Sequence, residues 1–203
     1  MPTYKYSYFD VRGRGELVRY VFHAAGRDFE DDRVAREDWP SRKESTPFGQ
    51  MPVLDVDGKK LAQSGAIARY AAREFDLAGK DSWEQALVDQ YMGLVEDMFT
   101  EIVKVFFEKD EEKKKELQKN LAEVVFPKFC GLFEKALDQN GGKFFVGNSL
   151  TLADLAVLNA FDTPLHQHAT LLDSFPKLKA HRERVMATPK LSEYIKNRKV
   201  TDI

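Results

Sequence analysis

The chain has 203 residues, 43% of them apolar and 32% charged, and a formal net charge of −2. That length and apolar content suffice for a full core in one large or two modest domains, while the near-neutral charge gives no electrostatic basis for binding nucleic acid or an anionic membrane. A single cysteine, Cys130, excludes an internal disulfide and any paired-cysteine redox or zinc motif.

The amino-terminal MPTYKYSYF lacks the apolar segment of a signal peptide, and no run approaches the ~20 apolar residues of a membrane span, so a cytoplasmic protein is expected. Up to about residue 78, short apolar runs alternate with helical patterns. YKYSYF reads as a strand, GELVRYVFHAAG as a helix, MPVLDVDGKKLA as a hairpin turning at Asp57-Gly58, and SGAIARYAAREF as a second helix, which together make an α/β layer. FDLAGKDS is a linker, and the remainder is almost wholly helical, which divides the chain into domains at 1–78 and 82–203. Ser82-Trp83-Glu84-Gln85 fits a capping box opening a long helix with Leu87, Tyr91, Leu94 and Met98 at helical spacing. The run KDEEKKKELQK pairs Asp110 with Lys114 and Glu111 with Lys115 at i,i+4 and is a solvated helix start. A further helix from about Leu121 to Gln139 stops at Asn140-Gly141-Gly142 and should kink at Pro127. Thr151-Leu152-Ala153-Asp154 offers another capping box, and Pro176 and Pro189 suit the first turns of two closing helices.

Several motifs fail on inspection. GRGELV starts like a dinucleotide fingerprint but carries Val18 where the third glycine belongs, and DGKKL lacks the length and the Ser/Thr of a phosphate loop. His23, His166, His168 and His181 have no spacing typical of a metal-binding helix, so no metal is expected, and no serine elbow is present.

One oddity remains: Pro52 opens a strand although proline cannot donate a ladder hydrogen bond. Strand, helix, proline-led hairpin and helix followed by an all-helical domain resembles the cytosolic glutathione transferases, whose fold joins a thioredoxin-like α/β domain to an all-α domain. SYF, RGRGE, PFGQMPVL, LAQSGAIARYAA, LTLADL and the proline-led closing helices carry the resemblance over nearly the whole chain. Tyrosine as the amino-terminal catalytic residue, with Trp39, Lys43 and Asp97 at their spacings, is similar to the sigma class and the related nematode enzymes. In that family the proline is cis and the residue before it, here Met51, offers its N–H and C=O to an extended peptide.

The resemblance implies glutathione as co-substrate, conjugation of apolar electrophiles or reduction of hydroperoxides (detoxification), and a homodimer. A free cysteine thiol has a pKa of about 8.5 and only its thiolate is nucleophilic, so the enzyme must favour the anion. Tyr8, where the first strand turns toward the helix near Arg14, is the expected hydrogen-bond donor, with Arg14 and the helix terminus favouring the anion. From pattern alone, Tyr4, Tyr6 and Tyr8 read first as one aromatic strand face, and the resemblance singles out Tyr8 only. Gln63 and Ser64 would take the γ-glutamyl carboxylate, Ser64 also serving as a helix N-cap. Trp39 and Lys43 would hold the glycine end, though alone they read as a packing anchor and a surface charge. Gly49, Gln50, Met51 and Pro52 complete the wall. Asp97, otherwise a solvated carboxylate, would reach the glutamyl ammonium of a neighbouring subunit, with Arg69, Arg73 and Phe48 as interface candidates. Phe9, Arg14, Met98, Ile102, Val105 and Phe106 would line the electrophile pocket. Within the same resemblance, alternatives are a prostaglandin isomerase, a carrier of apolar ligands such as haem, and a crystallin-like structural relative.

Overall fold

The tyrosine-rich amino-terminal run forms strand β1 (Tyr4–Phe9) in a computed structural model that describes residues 2–199 and 201. Alternation places Tyr4, Tyr6 and Tyr8 on one face of the strand. Tyr6 is fully buried, and Tyr4 meets Phe22 and Phe75 edge-on at 5.2 and 5.6 Å, so the aromatic strand face is real. A 3-10 turn (Gly13–Gly15) leads into α1 (Glu16–Ala24), which buries Leu17, Val18, Tyr20, Val21 and Phe22. The chain then returns as β2 (Glu30–Val34), parallel to β1.

Strand β2 and the short helix after it, α2 (Trp39–Arg42), have no counterpart in the sequence pattern. EDDRV shows no apolar alternation because it is an edge strand whose charges are paired: Lys5 with Glu30 at 2.7 Å, Arg19 and Arg33 with Asp31 at 3.0 and 2.8 Å, and Arg42 with Asp32 at 2.7 Å. Helix α2 and the 3-10 turn after it (Lys43–Ser45) bury no side chain. Strands β3 (Val53–Val56) and β4 (Lys59–Ala62) form the expected hairpin. Its turn holds Asp57 at φ +50° and Gly58 at φ +85°, the mirror-image geometry that Asp-Gly tolerates. Helix α3 (Ser64–Glu74) follows and packs on α1 beside a sheet of order β2-β1-β3-β4.

The helical part opens with α4 (Ser82–Phe107). Its cap is Asp81 rather than Ser82, since the Asp81 carboxylate accepts from the Trp83 and Glu84 amides, both at 2.9 Å. Helix α5 (Glu111–Asn120) is capped by Asp110 and buries nothing, as a solvated charge run should. A π-helical turn (Leu121–Val125) joins it to α6 (Phe126–Gln139), so the irregularity anticipated at Pro127 is taken up in the preceding turn, where the missing proline N–H would otherwise leave a gap. Cys130 on α6 is fully buried, and that burial pushes its thiol pKa up to about 12. Helix α7 (Leu152–Ala160) is buried along its whole length and packs on α4; its capping box of Thr151 and Asp154 is complete. Helices α8 (Asp162–Gln167), α9 (Pro176–Met186) and α10 (Pro189–Asn197) finish the chain, the last two led by proline as expected.

Two compact units result, one of Met1–Ala78 with Ala187–Ile203 and another of Gly79–Met186. Helix α10, grouped from sequence with the helical domain, therefore packs with the sheet-bearing unit, against α1. Among the described residues no helix is long and apolar enough to cross a membrane.

Candidate active site

Three strands bring the site together by register. Ser7 lies opposite Val53, and Val53 opposite Ala62. The next residues along, Tyr8 on β1, Pro52 before β3 and Gln63 after β4, therefore lie at the same end of the sheet, where the β1–β3 and β3–β4 pairings stop. The Met51–Pro52 bond is cis, and the β1–β3 ladder ends at the Ser7–Val53 pair just before it.

Tyr8 is held on several sides. Its hydroxyl accepts the backbone N–H of Arg14, at the turn entering α1. Burial raises its pKa above the usual 10.0, partly offset by that amide and by the charges of Arg19, Arg14 and Arg36. The phenol is thus protonated throughout the neutral range and remains a donor. Gly15 explains the closeness of the fit: a Cβ there would stand 2.1 Å from Tyr8 Cδ1, so any side chain at 15 collides with the ring. Gly15→Ala is expected to displace the Tyr8 ring and to lower the Tm by several degrees, because forcing a side chain into filled space costs about 1–3 kcal/mol. Thermal unfolding of the variant would check it, and an unchanged Tm would show that Tyr8 is not confined as described.

Phe9 continues the aromatic run, edge-on to Tyr8 at 5.7 Å and to Trp39 at 5.7 Å. Lys43 is exposed, and its methylene stem lies over Gly49, whose φ of +62° suits glycine; a Cβ there would sit 3.4 Å from Lys43 Cε. Gln63 carries φ +73°, a strained angle for a residue with a side chain, and its amide stands 3.5 Å from that of Gln50. Ser64 is the first residue of α3 and not its N-cap; Gln63 occupies the cap position and makes no side-chain cap bond. The expected capping role of Ser64 is thereby removed. One structural unit therefore contains Tyr8, Arg14, Trp39, Lys43, Gly49, Gln50, Met51, Pro52, Gln63 and Ser64. The other contains Asp97, Met98, Ile102, Val105 and Phe106, all on α4. There Asp97 and Phe106 are exposed, Ile102 and Val105 half-buried, and Met98 fully buried.

The charges behind Tyr8 escaped the sequence pattern. Glu16 and Arg19 look like an ordinary i,i+3 pair on a helix surface, yet both are buried. Distant segments explain their burial: Asp31 of β2 pairs with Arg19 at 3.0 Å, and Tyr194 and Arg198 reach Glu16 at 3.0 and 2.8 Å. Among the described residues no group of three His, Cys, Asp or Glu side chains is placed to hold a metal ion.

Residues 4–73 match the model of the glutathione S-transferase N-terminal domain, and residues 96–198 that of a glutathione S-transferase C-terminal domain. The chain belongs to the glutathione S-transferase family. It is 43% identical to a probable glutathione S-transferase 7 of Caenorhabditis elegans over 99% of both chains. A Nu-class glutathione transferase structure from Haemonchus contortus superposes with a TM-score of 0.92 at 43% identity, covering both chains fully. A hematopoietic prostaglandin D synthase of Gallus gallus is 39% identical over 100% of each chain. The protein is accordingly a glutathione transferase, an enzyme of α/β plus all-helical fold with glutathione as its co-substrate.

Proposed function

We propose that this transferase ionises the glutathione thiol through Tyr8 and presents the thiolate to an apolar electrophile or an organic hydroperoxide, as a cytoplasmic detoxification enzyme. The observation that carries this reading is the protonated, closely held Tyr8 hydroxyl at the end of β1. Glutathione lies extended beside the cis Met51–Pro52 bond, and its cysteine amide and carbonyl pair with the Met51 backbone. Its γ-glutamyl carboxylate sits at the start of α3 on the Gln63 and Ser64 groups, and its glycine end on Trp39 and Lys43. The thiol gives its proton to solvent, and the sulfur anion accepts a hydrogen bond from Tyr8 with Arg14 nearby. Lowering the thiol pKa by two units needs about 2.7 kcal/mol of preferential stabilisation, and one hydrogen bond to a charged group contributes about 1.5–3 kcal/mol. The thiolate then forms the new bond to carbon and the leaving group departs with its electron pair; with a hydroperoxide it attacks the terminal oxygen instead, the O–O bond breaks, the alkoxide takes a proton from solvent and leaves as the alcohol, and the glutathione sulfenic acid so formed reacts with a second glutathione to give the disulfide and water. On α4, Ile102, Val105 and Phe106 offer apolar surface to the electrophile. The test is the pH dependence of bound-thiolate absorbance in the wild type and in Tyr8→Phe.

The homodimer belongs to the same proposal. Within the helical unit, a groove of about 440 Å³ runs between α4 and α6, lined by Leu94, Val124, Val125, Phe129 and Leu132, with Asp97 on its border. Phe48 in the other unit is 66% exposed. A second copy's Phe48 would fill this groove and bring Asp97 to the neighbouring glutamyl ammonium. Asp97→Asn is then expected to raise KM for glutathione about tenfold with kcat nearly unchanged, since a charge-assisted contact contributes about 1.5–3 kcal/mol. Sedimentation should show dimers in both proteins; a monomer with unaltered KM would remove the dimeric site.

The likeness to a prostaglandin D synthase supports a second reading, isomerisation of a lipid endoperoxide on the same thiolate. It would regenerate glutathione, so product formation without glutathione consumption separates it from conjugation.

A further inference from the structure

Arg19 has no exposed surface. Its Nε donates to Asp31 at 3.0 Å, its Nη1 to Glu16 at 3.2 Å and to the Val11 carbonyl at 2.9 Å, and its Nη2 to the Phe9 carbonyl at 3.3 Å. Its Cζ stands 5.9 Å from the centre of the Tyr8 ring and 5.7 Å from that of Tyr6. Two carboxylates thus neutralise the guanidinium, and its remaining donors hold the carbonyls of residues that follow Tyr8. Glu16 in turn accepts from the Tyr194 hydroxyl at 3.0 Å and from Arg198 at 2.8 Å, both supplied by α10 and the residues after it. Arg33 bridges Asp31 at 2.8 Å and Asp10 at 3.0 Å, and Lys199 also reaches Asp10, at 2.6 Å. The loop from Phe9 to Glu16 is therefore held from beneath by Arg19 and from the side by the carboxyl-terminal segment.

The geometry points to Arg19 as a positioning residue for thiol activation: it sets the Tyr8 ring and the loop to Arg14, and Tyr194 and Arg198 complete the unit by holding Glu16. This rests on Tyr8 being the donor to the thiolate. A planar guanidinium satisfies two carboxylates and two carbonyls at once, and no ammonium can reproduce that fork. Removing the fork lets the loop relax and the phenol leave its place, whereas the charge near the site persists in Arg19→Lys.

The experiment measures the thiol pKa of bound glutathione by thiolate absorbance in the wild type, Arg19→Lys, Tyr8→Phe and the double variant, with glutathione affinity and Tm alongside. Arg19→Lys is expected to raise the bound-thiol pKa by about one unit, which lowers the rate about tenfold at pH 6 and hardly at all at pH 9, with the dissociation constant of glutathione within about twofold. In the Tyr8→Phe background the same change should add nothing, because Arg19 acts through Tyr8. A lower Tm with an unmoved thiol pKa reduces Arg19 to a scaffold and overturns the inference. An additive double variant overturns it too, since Arg19 would then act on the thiolate directly. If Tyr8→Phe itself leaves the thiol pKa unchanged, the underlying Tyr8 reading is what fails. Should Arg19→Lys not fold, Arg198→Met carries the test: a smaller rise of the same sign, absent in the Tyr8→Phe background, is expected, and no rise refutes the proposal.

Discussion

Tyr8→Phe is expected to lower kcat/KM at pH 6.5 by roughly ten- to a hundredfold, the loss of one hydrogen bond of about 1.5–3 kcal/mol to an anion. The ring is kept, so the contact with Gly15 and the edge-on packing with Phe9 survive and the variant should fold. Within the protein, the bond lost is that accepted from the Arg14 amide. The pH profile carries the sign. Below the bound-thiol pKa of the wild type, the variant has less thiolate and is slow; above the free-thiol value of about 8.5, the thiol ionises unaided and the two enzymes converge. Because burial raises the Tyr8 pKa above 10.0, the wild type keeps its donor across this whole range and loses it only in stronger alkali. Thiolate absorbance against pH, together with conjugation of an aryl halide, would decide it. A variant that binds glutathione with an unaltered thiol pKa would sink the mechanism.

For stability, the largest effect is expected from Asp154→Ala. This carboxylate has no exposed surface and accepts the Phe145 amide at 2.9 Å, the Thr151 amide at 2.7 Å and the Thr151 hydroxyl at 2.9 Å, while the His181 ring stands 2.8 Å away. It thus caps α7, pins the segment before it and ties α9 to both. Removing it leaves buried donors without a partner, at a cost of about 3–5 kcal/mol, or a fall in Tm of about 10 °C. Thr151→Val removes one of these bonds and should cost only about 1 kcal/mol. Thermal unfolding of both variants checks the ratio. Comparable losses from the two would mean that the capping box alone matters and the Phe145 and His181 contacts contribute little. Asp154 and Tyr8 lie in different units, so the bound-thiol pKa should be unaltered in Asp154→Ala below its Tm.

Much of this enzyme is written locally. Asp57-Gly58 announces its hairpin because few other pairs accept two consecutive positive φ angles. Thr151 and Asp154 announce the start of α7 because a capping box needs only four residues. Pro52 marks the end of the β1–β3 ladder because proline has no N–H to give. Local preference also misled in places: Ser82 and Ser64 look like caps, while Asp81 and Gln63 hold those positions.

What no local pattern conveys is everything that depends on a distant partner. EDDRV is unreadable as a strand until Lys5, Arg19, Arg33 and Arg42 are seen to neutralise it, three of them from other elements of the chain. Helix α10 joins the sheet-bearing unit because Tyr194 and Arg198 meet Glu16 across 178 and 182 residues. The sequence alone determined the elements that local signals mark, among them β1, the β3–β4 hairpin and its turn, and the cap at α7, since each depends on backbone preferences spanning a few residues. Tertiary structure decided which charges are buried, why Gly15 admits no side chain and how Arg19 comes to lie beneath Tyr8, since burial and desolvation exist only once remote segments have closed around a group.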